Sequence, residues 1–220
     1  VCARAGIPIA GGHTIDSVEP IYGLVAIGLV DPCHLKRNAG ARPGDLLVLG
    51  KPLGVGIYSA ALKTGHLDAG GYRAMIESTT KLNTPGPALG RMPGVHALTD
   101  VTGFGLLGHL LEICKGSAVS ARVEAGRLPI LPGALDLVRN GYKTGASARN
   151  FAGYGDKVAM GSGLDEAYQV LLTDPQTSGG LLVACAPDCV DEVLSTFRAD
   201  GFAHAAVIGD IAPREPGVTV

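Results

Sequence analysis

Several signatures of common enzyme and binding classes are missing from this 220-residue sequence. It contains no GxxxxGK[ST] phosphate loop, no HExxH zinc helix and no GxSxG nucleophile turn. Positive charge is not in excess, since 18 Lys and Arg stand against 20 Asp and Glu and no basic block occurs. These absences exclude a P-loop protein and argue against nonspecific binding to nucleic acid or to an acidic membrane surface.

Cysteine is scarce as well, with five residues and no CxxC pair. Cys185 and Cys189 lack the histidine or cysteine partners of a zinc site. Cys114 and Cys185 lie in apolar stretches, where reduced core thiols are expected. This cysteine usage predicts a cytoplasmic protein. The sequence also lacks a secretion signal and an apolar run long enough to cross a membrane, which supports the same prediction.

Glycine, by contrast, is abundant, and its 33 residues are clustered rather than periodic. Such clusters mark turns or loops that face a ligand. Hydrophobic residues make up 46% of the chain, enough for a sizeable core. The glycine clusters lie at positions 11–12, 54–56, 103–108 and 179–180.

Helical and strand patterns interleave without strict βαβ regularity, which predicts an α+β fold with a mixed sheet and packed helices. Short strands are predicted at residues 7–10 and 21–30, and a domain boundary in the Pro- and Gly-broken stretch 31–44. Residues 142–163 are polar and Gly-rich, and a connection of that length is expected to be either a functional loop or a disordered one. Residues 1–6 resemble the last turn of a helix, so further chain is expected upstream.

The most informative stretch surrounds Asp100, where a strand, a glycine turn and the start of a helix are predicted in succession. The helix carries one apolar stripe, Leu107, Leu110, Leu111 and Cys114. Three interpretations are open. The GxGxxG spacing of Gly103, Gly105 and Gly108, with Glu124 about 20 residues on, is that of an NAD-type oxidoreductase. Alternatively Asp100 is a ligand for Mg²⁺ beside a phosphate, or a residue that only caps the helix.

Two other segments carry weaker signals. Gly11, Gly12, His13 and Thr14 follow a predicted strand and offer accessible backbone and a hydroxyl group, although an ordinary tight turn has the same composition. Lys51 is within a glycine-rich turn, where it either reaches a phosphate or is merely solvated.

Five segments with distinctive sequences are spread over almost the whole chain. They are AGGHTID at 10–16, KPLGVG at 51–56, TDVTGFGLLGH at 99–109, RNF at 149–151 and DPQTSGG at 174–180. Taken together, they resemble those of the selenophosphate synthetase (selenide, water dikinase) family, in the aminoimidazole ribonucleotide synthetase-like superfamily. They occur in the family's order, and the DPQTSGG run is specific to that family within the superfamily.

This resemblance implies an enzyme that makes selenophosphate from selenide, ATP and water, releasing AMP and phosphate, for selenocysteine synthesis. It implies that Mg²⁺ bridges the triphosphate to acidic groups, with Asp100 as the metal ligand of this chain. It implies that Gly11, Gly12, His13 and Thr14 contribute to the ATP site of the partner subunit in a homodimer.

The family's catalytic Cys or selenocysteine, its Lys and its other metal-binding aspartates match no position of this sequence. The resemblance therefore predicts an N-terminally truncated chain, inactive alone and with dimerisation weakened or lost. Residues 1–34 are expected to be a remnant of the N-terminal ATP-binding and dimerisation domain, and residues 35–220 the C-terminal α+β domain. A non-catalytic interaction module stays open as an alternative.

Overall fold

The computed structural model describes residues 1–213 and 215–220, and the chain divides into two units, Val1–Leu35 and Lys36–Val220. In the first unit, helix α1 (Cys2–Ala5) ends at Gly6, whose left-handed backbone stops the helix. A 3₁₀ turn spans Pro32–His34, and the Asp31 side chain accepts a hydrogen bond from the Cys33 N–H there.

The strands predicted at residues 7–10 and 21–30 are wrong, because neither stretch forms a strand. Apolar side chains of the second stretch are exposed, Ile27 by 94% and Leu29 by 105%. A β-prone run becomes a strand only when a neighbouring strand accepts its backbone hydrogen bonds, and the described residues of this unit provide none. The assignment of residues 1–34 to an N-terminal domain stays a prediction.

Within the described part of Lys36–Val220, seven strands form one mixed sheet in the order β2-β5-β1-β6-β3-β7-β4. The pairs β3–β7 and β7–β4 are parallel, and the other neighbours are antiparallel. The predicted mixed sheet is confirmed. The strands are β1 (Leu46–Leu49), β2 (Val95–Asp100), β3 (Ser120–Val123), β4 (Val158–Ala159), β5 (Leu181–Cys185), β6 (Ala206–Ala212) and β7 (Gly217–Thr219).

Helices cover both faces of the sheet, and the alternation of side chains along β1 shows the two layers. Leu47 and Leu49 point into the larger core, whereas Val48 points into a smaller core with Phe197. None of the described helices combines the length and the apolar character needed to cross a bilayer. The helices of this unit are α2 (Val55–Lys63), α3 (Ala69–Thr80), α4 (Gly86–Arg91), α5 (Gly105–Ser117), α6 (Ala134–Arg139), α7 (Gly145–Tyr154), α8 (Glu166–Thr173) and α9 (Val190–Ala199).

The long loop predicted at residues 142–163 is wrong, since α7 occupies its centre. This helix is polar, with Ser147 as its one fully buried residue, and it packs against α5 and α8. Tertiary contacts rather than an apolar stripe therefore stabilise it.

Candidate functional site

Asp100 is the last residue of β2, at one edge of the sheet, where it lies opposite Leu181 of β5. Its carboxylate is exposed and has no hydrogen bond or ion pair within the described residues. Because no contact of the side chain itself holds this carboxylate, its position depends on the backbone of the residues that follow it. We call residues 100–104, which join β2 to α5, the Asp100 loop.

Residues 174–180 hold the first half of the Asp100 loop. The Val101 N–H donates to the Gly180 carbonyl (2.9 Å), and the Thr102 carbonyl accepts from the Gln176 N–H (3.0 Å). Two of the segments that carry the family resemblance are thus joined by backbone hydrogen bonds.

Helix α7 holds the second half of the loop. Asn150 donates through Nδ2 to the Gly103 carbonyl (2.9 Å), and the Tyr154 hydroxyl donates to the Phe104 carbonyl (2.6 Å). The RNF segment is thereby tied to the same loop. Asn150 belongs to a motif of the sequence, whereas no motif or pattern in the sequence indicates Tyr154.

His109 contacts the loop from α5. Its Nε2 lies 3.2 Å from the Thr102 hydroxyl, while its buried Nδ1 has no hydrogen-bond partner within the described residues. The nearest acidic group is Glu112, whose Oε2 lies 3.7 Å from Nδ1, beyond hydrogen-bond distance.

The carbonyl groups of Thr102, Gly103 and Phe104 thus accept hydrogen bonds inside the protein, whereas two of the loop's N–H groups are not used. Among the described residues, the N–H groups of Gly103 and Phe104 have no acceptor, and both residues are exposed. They precede the N-terminus of α5, where the helix dipole is positive. The loop therefore offers anion-binding donors next to a free carboxylate.

Gly103 in the loop and Gly105 at the start of α5 are glycines for different physical reasons. Gly105 has φ +70°, and a Cβ there would lie 2.6 Å from the Thr173 carbonyl carbon, so packing requires glycine. A Cβ on Gly103 would meet nothing within 4 Å, and its φ is not in the left-handed region. No contact within the described structure requires a glycine at 103.

Comparison with known proteins identifies the family of this domain. Residues 42–220 match the family described as AIR synthase related protein, C-terminal domain. The chain belongs to this family. The matched region contains the whole sheet, the Asp100 loop and the segments that hold it, and the α+β expectation of the sequence is confirmed.

Two curated relatives of this AIR synthase related domain carry the same name. A selenide, water dikinase of Dechloromonas aromatica is 64% identical over all 220 residues, which cover 63% of that protein. Another, of Burkholderia pseudomallei, is 66% identical over 96% of this chain and 60% of its own length. The chain thus spans about 60% of the length of these curated relatives. A crystal structure of the hydrogenase maturation protein HypE in complex with ATP shares the fold, with a TM-score of 0.58 and 22% identity over 87% of this chain and 52% of that one.

The dinucleotide interpretation finds no support in the AIR synthase related fold. Strands β2 and β3 flank the GxGxxG turn but are not neighbours in the sheet, so the βαβ crossover of a dinucleotide-binding fold does not exist here. Glu124, expected to meet a ribose, instead forms an ion pair with Arg127 at 3.1 Å.

The DPQTSGG segment caps helix α2. Asp174 Oδ2 accepts hydrogen bonds from the N–H groups of Gly56 and Ile57, at 2.9 and 3.2 Å. Gln176 Oε1 accepts from those of Gly54 and Val55, both at 3.2 Å. Two side chains thus satisfy the N–H groups that the first turn of a helix leaves unpaired. The segment joins the KPLGVG turn on one side to the Asp100 loop on the other.

Burial raises the pKa of Asp174 to about 7, against the opposing effect of hydrogen bonds from Ile57, Gln176 and Gly56. Asp174 is fully buried, and its second carboxylate oxygen, Oδ1, has no partner within the described residues. The folded chain therefore binds this proton more tightly than the unfolded chain, whose aspartate has the ordinary pKa of 3.8.

Asp174→Asn is expected to change how stability depends on pH. In the wild type, the contribution of Asp174 is complete below pH 4 and is lost as the pH rises toward 7, because the carboxylate must then be charged while buried. Asparagine keeps an oxygen for the Gly56 and Ile57 N–H groups and carries no charge. Urea unfolding at pH 5, 6, 7 and 8 should show that the variant gains relative to the wild type, by a few kcal/mol at pH 8. Asp165→Asn, at an exposed position paired with Arg139, is the control; equal pH profiles for Asp174→Asn and wild type would contradict the assignment.

Lys51 is neither a solvated turn residue nor a free cation. It is 2% exposed, and its Nζ donates to the carbonyl groups of Ser78 (3.2 Å), Lys81 (2.7 Å) and Ser178 (2.6 Å). Burial lowers the pKa of Lys51 to about 8, and the charge of Lys81 adds to the effect. With its three donors used inside the protein, Lys51 ties the end of α3 to the DPQTSGG segment.

The predicted nucleotide residues belong to the first unit of the chain, and the Asp100 loop belongs to the second. Gly11, Gly12, His13 and Thr14 belong to the Val1–Leu35 unit, where they are exposed and outside helices and strands. Their role in ATP binding stays a prediction, as does the role of Asp100 in metal binding.

Proposed function

We propose that the intact protein is a selenide, water dikinase, which makes selenophosphate from selenide, ATP and water and releases AMP and phosphate. The relatives that carry this name are 64% and 66% identical to the chain, which supports the same reaction here. The observation that carries the proposal is the Asp100 loop, which places a free carboxylate beside free N–H groups.

Asp100 is the proposed ligand for Mg²⁺. The fit rests on its chemistry and surroundings, since it is an exposed carboxylate that no described cation or donor engages. Mg²⁺ needs only one or two protein carboxylates when phosphate oxygens and water complete its octahedral shell. When bound, the metal would neutralise charge on the phosphates.

The N–H groups of Gly103 and Phe104 are the proposed phosphate donors of this chain. They cost no reorganisation on binding, because the loop carbonyls are already held by Gln176, Asn150 and Tyr154. Phosphoryl transfer is catalysed chiefly by positioning and by such charge stabilisation. Gly11, Gly12, His13 and Thr14 are proposed to complete the ATP site from the partner subunit of a homodimer.

We assign no catalytic residue within these 220 residues. A selenium-handling thiol must be accessible and readily ionised. Burial raises the pKa of the Cys114 thiol to about 11 and that of the Cys185 thiol to about 12, so neither of these buried thiols fits. Cys33 is exposed, but the hydrogen bond with the Asp31 side chain raises the pKa of its thiol. All five cysteines are free thiols, which agrees with the proposed cytoplasmic location.

The reaction can be tested directly on the intact protein. AMP release from ATP is expected to require both selenide and Mg²⁺, with selenophosphate detected by ³¹P NMR. The 220 residues alone are expected to release none. Turnover that stops at ADP, or that is independent of selenide, would contradict the proposal; tight Mg²⁺-independent binding of NADH would favour the oxidoreductase alternative instead.

A further inference from the structure

Helix α7 presents two hydrogen-bond donors to the Asp100 loop from one face. Asn150 and Tyr154 are four residues apart, so their side chains lie one above the other on the helix. They donate to the carbonyl groups of two consecutive loop residues, Gly103 and Phe104, at 2.9 and 2.6 Å. Helix α7 therefore holds two successive peptide groups, those that contain the Gly103 and Phe104 carbonyls.

The two side chains are themselves anchored. Asn150 Nδ2 also donates to the carbonyl group of Thr173 at the end of α8, at 3.0 Å. The Tyr154 ring lies against α5, since a Cβ built on Gly108 would be 3.1 Å from its Cε1 atom. The donors consequently have fixed positions, and the loop is held between α7 and the start of α5.

Because a peptide group is planar, holding a carbonyl group of the loop also sets the direction of the N–H group on the other side of the same peptide bond. The described chain has no cis peptide bond, and in a trans peptide the C=O and the following N–H point in opposite directions. By holding the Gly103 carbonyl, Asn150 directs the Phe104 N–H away from α7. The Gln176 N–H acts in the same way on the Thr102 carbonyl and so orients the Gly103 N–H. Tyr154 holds the next peptide group, whose Gly105 N–H is already bonded to the Thr102 carbonyl at 3.1 Å, so Tyr154 anchors the end of the loop from which the two free donors project.

We propose that Asn150 and Tyr154 are positioning residues, which hold the Asp100 loop so that its free N–H groups face a phosphate group of the bound nucleotide. This inference rests on the proposed function, because the phosphate is that of the ATP assigned above. The proposed role of α7 is to orient the Asp100 loop rather than to stabilise the fold. Both bonds involve exposed carbonyl groups, which water can solvate if the donor is removed, so the loss of either bond costs folding little.

The test uses Asn150→Leu and Tyr154→Phe in the intact protein. Each variant keeps the approximate shape of the side chain and removes the donor. We expect each to weaken Mg²⁺–ATP binding about tenfold, measured by isothermal titration calorimetry, and to raise the KM for ATP similarly while kcat falls less. The thermal midpoint should change by no more than a few degrees. Asn140→Leu and Tyr72→Phe, both at exposed positions away from the loop, are the matched controls.

The outcomes separate this inference from the proposed function. If Asp100→Asn leaves Mg²⁺–ATP binding unchanged, the proposed function fails, whatever the α7 variants do. If Asp100→Asn weakens binding while Asn150→Leu and Tyr154→Phe bind like the wild type, only the positioning role is overturned. A large fall of the thermal midpoint with an unchanged KM would assign the two residues to folding alone and also overturn it. Tyr154→Phe removes a single oxygen atom, so it keeps the test valid if Asn150→Leu does not fold.

Discussion

Asp100→Asn in the intact protein is expected to reduce Mg²⁺-dependent ATP turnover by at least about 100-fold, or about 2.7 kcal/mol. The physical reason is that asparagine keeps the shape of the side chain but removes the negative charge that a hard cation requires. Stability should stay within about 0.5 kcal/mol of wild type, because the exposed carboxylate has no described partner to lose. The measurements are AMP release, Mn²⁺ or Mg²⁺ titration, and urea unfolding.

Asp188→Asn is the matched control for this experiment. Asp188 is also exposed, but it lies in the 3₁₀ turn before α9, which packs on the other face of the sheet. Its replacement should leave turnover and metal affinity at the wild-type level. Wild-type metal dependence in Asp100→Asn would remove this residue from the site.

Gly179→Ala is expected to destabilise the chain by about 3 kcal/mol or more, since overpacking against backbone exceeds the usual cost of core substitutions. A Cβ at this position would lie 1.7 Å from the Val101 carbonyl oxygen, far inside van der Waals contact. The neighbouring hydrogen bond from the Val101 N–H to the Gly180 carbonyl prevents the two segments from simply moving apart. The loss should appear as a lower midpoint in urea unfolding.

For Gly153→Ala we expect the opposite effect, an increase in stability. Gly153 lies within α7, and a Cβ there would meet no atom within 4 Å. Alanine should therefore stabilise the helix by roughly 0.5–1 kcal/mol. A Gly179→Ala midpoint equal to that of the wild type would mean that Val101 does not approach Gly179 as described.

The strand–turn–helix around Asp100 was predictable because its signals are local. The apolar stripe Leu107, Leu110, Leu111 and Cys114 is fully buried, as the helical spacing predicts. Helix α7 was not predictable in this way. Its composition is polar, and the contacts that favour it are donor groups such as Asn150 and Tyr154, whose acceptors lie about 50 residues earlier in the chain.

Contacts between residues far apart in sequence also made parts of the candidate site unpredictable. Asp100 was predicted from the resemblance of its surroundings to a family motif. The capping role of Asp174 and Gln176 was not, because the helix that they cap lies about 120 residues away in sequence. Lys51 is a similar case, since turn composition suggests exposure, while the three carbonyl groups that surround it come from residues 78, 81 and 178.

The anchoring of the Asp100 loop also bears on motion. Its backbone is fastened by a strand end, by the DPQTSGG segment and by α7, so it cannot swing as a lid without breaking hydrogen bonds to all three. The amide hydrogens of Val101 and Gln176 should accordingly exchange with solvent only in large-scale openings of the domain. In the proposed ATP site, this loop is therefore expected to keep its position when a nucleotide binds.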